Sequence, residues 1–210
     1  MPPLSIMIKP ASSHCNLRCK YCFYCDVAAN REVFSLGKMS EDTAEKLIKD
    51  ALRFADGSSV AFAFQGGEPL LRGMDYFKFF TETVKVNNHK GSEIYYSIQT
   101  NGTLIDDEWA RFFTEHKFLV GLSLDGDYEG NKFRVDAKGQ NSYYKIITAA
   151  NKLKKHGTEF NILTVLTGYC SDNAERIYKF FRRQGFKYIQ FIPCLRPMGD
   201  TTESELYMTE

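Results

Sequence analysis

Four cysteines lie within eleven consecutive residues near the beginning of the chain, in the sequence HCNLRCKYCFYC. Cys15, Cys19 and Cys22 have the spacing C-x3-C-x2-C, and Cys25 follows after two more residues. Thiolates spaced this closely on one loop can bind a [4Fe-4S] cluster, and three thiolates leave one iron open for a substrate group. The alternative is a closed zinc site in which Cys25 or His14 is the fourth ligand.

A glycine pair followed by an acidic residue, Gly66-Gly67-Glu68, forms the second candidate motif. Glycines let the backbone approach a ligand closely, and the Glu68 carboxylate can accept charge-assisted hydrogen bonds from an ammonium group. The same residues would also suit a tight turn with an exposed glutamate. The motif by itself leaves both interpretations open.

Alternating strands and helices are the elements that must position these motifs. The β-like runs are Leu4 to Lys9, Val60 to Phe64, Ile94 to Ile98, Phe118 to Ser123, Phe160 to Leu166 and Tyr188 to Ile192. Amphipathic helical patterns lie between them, for example over 44–52 after a predicted N-cap at Ser40. Units of about 30 residues, each a strand and a helix, predict a parallel α/β sheet. Either an open doubly wound sheet or an incomplete barrel of six strands would fit.

Four residues predict helix boundaries. Asp106 and Ser171 are expected to cap helices at their N-termini. Gly157 and Gly185 are expected just after the C-termini of two others.

The chemically distinctive residues all follow predicted strands. The cysteine loop follows the first run, Gly66-Gly67-Glu68 the second, Asn101-Gly102 the third and Asp125-Gly126 the fourth. Because the carboxyl ends of parallel strands meet at one edge of a sheet, we expect these motifs to form one site.

The composition indicates which partners the chain lacks. Lysine and arginine number 27 against 26 acidic residues, so a net charge of +1 provides no general attraction for nucleic acid or an anionic membrane. No stretch is long enough to span a membrane and no charged leader opens the chain, so we expect a cytoplasmic protein. In a reducing compartment the six cysteines favour metal or cluster binding over disulfides.

The cysteine spacing and the glycine pair together resemble the core of the radical S-adenosylmethionine (SAM) superfamily. Four longer segments resemble the anaerobic sulfatase-maturating enzymes: PPLSIMIKPASSHCNLRCKYCFY, FAFQGGEPL, IQTNGTLID and FLVGLSLDG. The resemblance extends over nearly the whole chain. The resemblance implies a parallel, six-stranded partial TIM barrel, a (β/α)6 core whose last helix is missing. It also implies a [4Fe-4S] cluster and SAM as cofactors, and a reduced electron donor such as flavodoxin or ferredoxin.

The activity that the resemblance implies is radical chemistry on a peptide. One electron passed to the cluster would cleave SAM to a 5′-deoxyadenosyl radical. In the sulfatase-maturating enzymes this radical abstracts hydrogen from Cβ of a cysteine or serine in a sulfatase peptide, which leads to formylglycine. The protein would supply orientation and exclusion of water.

The resemblance also implies roles for individual residues. The cluster ligands would be Cys15, Cys19 and Cys22, and the SAM amino group would be received by Gly66, Gly67 and Glu68. Ser123 and Arg134 would meet the ribose and the carboxylate, Tyr21 and Leu195 would lie near the adenine, and Tyr24 would face the active-site cavity. Four of these residues also have an ordinary structural interpretation, as solvated, packing or strand-end side chains: Ser123, Arg134, Tyr24 and Leu195.

The chain departs from the sulfatase-maturating pattern after its sixth strand. Residues 1–195 are expected to form the core domain, and residues 196–210 a polar tail leading to a C-terminal domain with auxiliary clusters that is absent. Outside the cysteine loop only Cys170 and Cys194 remain, which is too few for one such cluster. We therefore expect the N-terminal part of a longer enzyme, without the catalytic base and with incomplete activity. The alternatives are the core of a maturase for another peptide and a non-enzymatic zinc- or cluster-binding fragment.

Overall fold

The computed structural model describes residues 3–196 and 204–208, except for the side chains of Cys25, Asp26 and Ala29. Its strands are β1 (Leu4–Ile8), β2 (Val60–Phe64), β3 (Ile94–Thr100), β4 (Phe118–Ser123), β5 (Phe160–Leu166) and β6 (Ile189–Pro193). Within the described residues they form one sheet in the order β1-β2-β3-β4-β5-β6, and every neighbouring pair is parallel.

Helices connect consecutive strands. They are α1 (Phe23–Ala29), α2 (Glu41–Ala55), α3 (Met74–Asn87), α4 (Asp107–Glu115), α5 (Tyr143–His156), α6 (Gly168–Asp172) and α7 (Ala174–Arg183), and a short 3-10 turn covers Pro69–Arg72. Most boundaries agree with the predictions: the Ser40 side chain caps α2, the Asp106 side chain caps α4, and Gly157 ends α5.

The strand order decides between the two predicted architectures. A doubly wound sheet changes direction part of the way along, so that its helices cover both faces. Here the order is sequential, and right-handed crossovers then place every helix on the same face. The fold is therefore the predicted incomplete barrel, a parallel six-stranded half-barrel of α/β type.

The two faces of the sheet differ in burial along β1, β2, β3 and β4. Residues that face the helices are almost fully buried, among them Phe62, Phe64 and Val120. Phe64 packs against Phe77 and Phe80 of α3, with ring centroids 5.0 Å apart in both pairs. The alternate residues of these strands face the concave side of the sheet, where Met7, Tyr95 and Leu119 are exposed.

Two findings concern the last third of the chain. Ser171 is not an N-cap, because the Thr167 side chain caps a short helix, α6, that contains Ser171, and α7 begins only after Asn173. Among the described residues no helix follows β6.

None of the helices in the described part of the chain is long and apolar enough to cross a membrane.

Candidate functional site

The cysteine loop runs from the end of β1 to α1. Cys15, Cys19 and Cys22 are each half-buried free thiols. Burial raises the pKa of Cys19 to about 12, and the nearby Cys22 and Cys15 thiols add to this rise although Arg134 opposes it. Burial likewise raises the pKa of Cys15. The cysteine spacing thus places three thiols close enough to influence one another electrostatically.

The glycine pair after β2 supports the first part of this loop. The Gly67 amide donates to the Ser12 carbonyl at 3.1 Å, and the Glu68 amide donates to the His14 carbonyl at 2.7 Å. A Cβ atom on Gly67 would lie 2.0 Å from the His14 oxygen, which is far inside van der Waals contact. Gly66 adopts φ +122°, in the region that favours glycine. The sequence predicted that these glycines let the backbone approach a ligand closely. In the structure the backbone of the cysteine loop lies against them.

Glu68 is buried rather than exposed, which removes the simple-turn interpretation of the motif. Only 1% of its surface is accessible. Its Oε1 accepts hydrogen bonds from the Leu70 amide at 3.1 Å and the Thr100 hydroxyl at 2.8 Å. Its Oε2 accepts one from the Asn101 amide at 2.8 Å. Since a carboxylate oxygen can accept two hydrogen bonds, Oε2 retains the capacity for one more donor.

Glu68 should make the stability of the chain depend on pH. Burial raises its pKa from the ordinary 4.5 to about 7, despite hydrogen bonds that favour the carboxylate. Between these values the folded chain holds a proton that the unfolded chain releases, so the stabilisation is complete below pH 4.5 and is lost as the pH rises through 7. We expect this group to lower the free energy of unfolding by about 3 kcal/mol across that window.

Urea unfolding of the iron-free chain at pH 5 and pH 8 tests this expectation. Glu68→Gln should flatten the dependence, whereas Glu108→Gln, at an exposed glutamate on α4, should leave it unchanged. If the free energy of unfolding changed equally between pH 5 and pH 8 in the parent chain and in Glu68→Gln, Glu68 would not be the source of the pH dependence.

A segment after β4 holds the second half of the cysteine loop. The Arg18 amide donates to the Val135 carbonyl at 2.6 Å, and the Lys20 amide donates to the Phe133 carbonyl at 3.0 Å. Leu17, between the first two cysteines, is buried. The loop is therefore paired by backbone hydrogen bonds to residues about 115 positions away along the chain, so its conformation depends on tertiary contacts.

The same segment contributes Arg134 to a buried ion pair with Asp125. Arg134 Nη2 donates to Asp125 Oδ1 at 3.0 Å, and Arg134 Nε lies 3.0 Å from Asp125 Oδ2 without hydrogen-bond alignment. The Tyr21 hydroxyl from the cysteine loop donates to Asp125 Oδ2, and the Val165 amide donates to Oδ1 at 2.8 Å. The Asp125 carboxylate thus connects the cysteine loop, the segment after β4 and the end of β5.

The other predicted residues differ in burial and in their surroundings. Tyr24, in α1, lines a cavity of about 520 Å³ together with Lys9, whose Nζ lies 4.9 Å from the centre of the tyrosine ring. Ser123 is half-buried at the end of β4. Leu195 follows β6 and is 82% exposed. The side chain of Cys25, whose role was left open, lies outside the described residues.

The residues present fit a [4Fe-4S] cluster and SAM chemically. The donor set is three thiols on one loop, the type of ligand that iron–sulfur clusters use. Arg134 Nε is buried 3.0 Å from Asp125 Oδ2 and has no aligned hydrogen-bond partner. Among the described residues no three histidine, cysteine or acidic side chains are arranged to hold a single metal ion.

Two residues of the site were not assigned a role from the sequence. Asp125 was noted only because it follows β4, although a charged residue directly after a strand of alternating apolar residues is a usable signal. Asn101 was likewise noted only because it follows β3, and the structure shows that it is buried and that its side chain reaches the cysteine loop. The local sequence does not indicate which residues Asp125 and Asn101 contact.

Comparisons with known proteins agree with this geometry. A model of the Radical SAM superfamily matches residues 10–182. The chain is 49% identical over 208 residues to the cysteine-type anaerobic sulfatase-maturating enzyme of Clostridium novyi (strain NT), and the match covers 99% of this chain and 55% of that enzyme. It is 37% identical to the serine-type anaerobic sulfatase-maturating enzyme of Bacteroides thetaiotaomicron, over 92% of this chain and 47% of the relative.

A solved structure has the same fold. It is described as native anSMEcpe with bound AdoMet and Cp18Cys peptide, and it superposes with a TM-score of 0.90 at 45% identity, over 99% of this chain and 55% of that one. The chain thus spans about half the length of the relatives it matches. The superfamily model covers most of the chain. On this evidence the chain belongs to the radical SAM superfamily.

Proposed function

We propose that this chain is the radical SAM core of an enzyme of the anaerobic sulfatase-maturating type. It binds a [4Fe-4S] cluster and SAM and generates the 5′-deoxyadenosyl radical. The observation that carries the proposal is the meeting of the three-thiol loop, the Gly66-Gly67-Glu68 turn and the buried Arg134 at the carboxyl ends of β1, β2 and β4. The similarity to both cysteine-type and serine-type relatives supports it.

The cysteine loop would hold the cluster through Cys15, Cys19 and Cys22. Because their pKa values are raised by burial, Cys15 and Cys19 would release protons when they bind iron. The cluster and SAM held there would supply the one-electron chemistry for hydrogen abstraction from a peptide Cβ. The protein residues position that chemistry and exclude water from it.

Residues around the loop would hold SAM. Arg134 would meet the carboxylate, and the remaining lone pair on Glu68 Oε2, with the backbone of Gly66 and Gly67, would receive the amino group. Ser123 would bind a ribose hydroxyl. Tyr21 and Leu195 would lie beside the adenine, and Tyr24 would face the peptide.

The proposed partners follow from the same assignment. The peptide would be a segment of a sulfatase that carries the cysteine or serine to be oxidised to formylglycine, and the electron would come from a reduced flavodoxin or ferredoxin. Residues 1–195 would form the core domain of a cytoplasmic enzyme that binds neither nucleic acid nor membrane. A net charge of +1 is consistent with these last two points.

Electron paramagnetic resonance of the reconstituted chain tests the proposal. After anaerobic reconstitution and reduction, we expect a [4Fe-4S]⁺ signal that changes when SAM is added, together with 5′-deoxyadenosine in the products. Cys19→Ala should lose the signal, and Cys170→Ala, at a buried cysteine away from the loop, should retain it. Stoichiometric zinc without sulfide in an anaerobically purified sample would replace the proposal with the zinc-binding alternative. Turnover of unrelated peptides in preference to sulfatase peptides by a longer chain would favour the other maturase.

A further inference from the structure

Asn101 is a buried residue at the end of β3 that joins two of the motifs described above. Only 7% of its surface is accessible. Its backbone amide donates to Glu68 Oε2 at 2.8 Å, and its side-chain Nδ2 lies 3.7 Å from the Cys15 sulfur in hydrogen-bond geometry. A single residue thus contacts both the Gly66-Gly67-Glu68 turn and the first thiol of the cysteine loop.

The orientation of the Asn101 amide is determined by its other partners. Its Oδ1 accepts hydrogen bonds from the Thr103 amide at 3.0 Å and from the Thr103 hydroxyl at 2.7 Å. A backbone amide can only donate, so the atom facing Thr103 must be the oxygen. The NH₂ group therefore faces the cysteine loop, where one hydrogen is directed to Asn16 Oδ1 at 2.9 Å and the other to the Cys15 sulfur.

A second set of contacts keeps this group in place. Asn16 Nδ2 donates to the Thr103 hydroxyl at 2.8 Å, which completes a ring of side-chain hydrogen bonds among Asn16, Asn101 and Thr103. The Leu17 amide also donates to the Cys15 sulfur, at 3.4 Å. The Asn101 amide is therefore pre-oriented towards Cys15 before any iron binds.

Hydrogen bonds to ligand sulfurs are one of the quantities that determine the reduction potential of an iron–sulfur cluster. Reduction adds one negative charge to the cluster and its thiolates. A donor to a thiolate stabilises the more negative, reduced state more than the oxidised one, and so raises the potential. A donor from a neighbouring strand end can therefore make the cluster easier to reduce.

We propose that Asn101 is a positioning residue that donates an N–H···S hydrogen bond to the cluster ligand Cys15 and raises the reduction potential of the cluster. This inference rests on the proposed function, because it requires a cluster on Cys15. It adds a residue and a physical role to that function. The electron for reduction comes from an external one-electron donor, which is dithionite in the test below.

A redox titration of the reconstituted chain, followed by electron paramagnetic resonance, measures the effect. In Asn101→Ala the ratio of reduced to oxidised cluster at a given potential should fall about tenfold, which is a shift of about 59 mV to lower potential for one electron. Asn88→Ala is the matched control. The Asn88 side-chain amide, like that of Asn101, both donates and accepts in a turn: Nδ2 donates to the Ser92 carbonyl, and Oδ1 accepts from the Ser92 amide. Asn88 precedes β3 and so lies at the end of that strand opposite to Asn101.

A second measurement does not require a variant to fold. The parent chain, labelled with ¹⁵N only at asparagine side-chain amides, should show a ¹⁵N nucleus coupled to the reduced cluster in pulsed electron paramagnetic resonance. The same coupling should persist in Asn88→Ala.

The outcomes separate this inference from the proposed function. A reduced cluster in the labelled parent chain without ¹⁵N coupling, or an Asn101→Ala cluster with the parent potential, would overturn the role of Asn101 and leave the proposed function intact. Failure of the parent chain to hold any cluster would overturn both.

Discussion

Gly67→Ala is expected to lose most of its capacity to hold a cluster while the sheet itself still forms. The new Cβ would lie 2.0 Å from the His14 carbonyl oxygen and 2.6 Å from the carbonyl carbon. Both are backbone atoms of the cysteine loop, so no side-chain rotation can relieve the overlap. The loop must move away, and the hydrogen bond from the Glu68 amide to the His14 oxygen must lengthen.

The expected size of the effect follows from the position of His14, one residue before Cys15. Groups that orient metal ligands typically change affinity by about 10-fold to 100-fold when they are altered. Iron and sulfide analysis of the reconstituted variant, with its visible absorption spectrum, measures cluster retention. Urea unfolding of the iron-free chain shows whether the fold survives.

Gly91→Ala serves as the control for this substitution. Gly91 has φ +67°, and a Cβ there would meet no atom within 4 Å. Alanine at this site should cost about 1–2 kcal/mol for the left-handed conformation and leave the cluster content unchanged. Equal cluster content in Gly67→Ala and Gly91→Ala would show that the contact with His14 does not position the loop.

Asp125→Asn is expected to destabilise the chain by about 3–5 kcal/mol, the range for removal of one member of a buried ion pair. The substitution preserves the shape of the side chain but removes its charge. Arg134, which is 7% exposed, would then be a buried cation without an anionic partner. The Tyr21 hydroxyl and the Val165 amide would also compete for weaker acceptors.

A double-mutant cycle distinguishes the ion pair from general damage to the site. Arg134→Met alone should also be strongly destabilising, because it leaves the fully buried Asp125 carboxylate unpaired. The double variant should lose less stability than the sum of the two single losses, by about 0.5–3 kcal/mol. Urea unfolding of the iron-free chains provides all four values.

Glu175→Gln, which breaks the exposed pair with Lys179 on α7, is the control and should have a far smaller effect. If the double variant lost as much free energy of unfolding as the two single variants together, Asp125 and Arg134 would not be energetically coupled.

Part of the site was predictable because it depends on local patterns. The spacing of Cys15, Cys19 and Cys22 is a property of one loop, and the positions of the glycine pair and Asp125 just after apolar runs follow from strand periodicity. The parallel sheet then brings these strand ends together, because every crossover returns the chain to the same edge. The residue types and their order were therefore sufficient to place the cysteine loop, the glycine pair and Asp125 at the carboxyl edge of the sheet.

The burial of Glu68 could not be read from its neighbours. The sequence allowed an exposed glutamate in a turn, but Thr100 and Asn101 donate to it from the end of the adjacent strand, more than 30 residues away. The reason for the Gly66-Gly67 pair was similarly hidden. The close approach that requires it involves Ser12 and His14, and depends on where the cysteine loop crosses the end of β2.

By itself the sequence determined the repeating strand–helix units, the three clustered thiols and the edge of the sheet on which they lie. Only the tertiary structure decided the sequential strand order, the pairing of Asp125 with Arg134 and the contact between Asn101 and Cys15. The physical reason is the range of the interactions. Hydrophobic periodicity and loop spacing act over a few residues, whereas hydrogen bonds and ion pairs at the site join residues that become neighbours only when the half-barrel has formed.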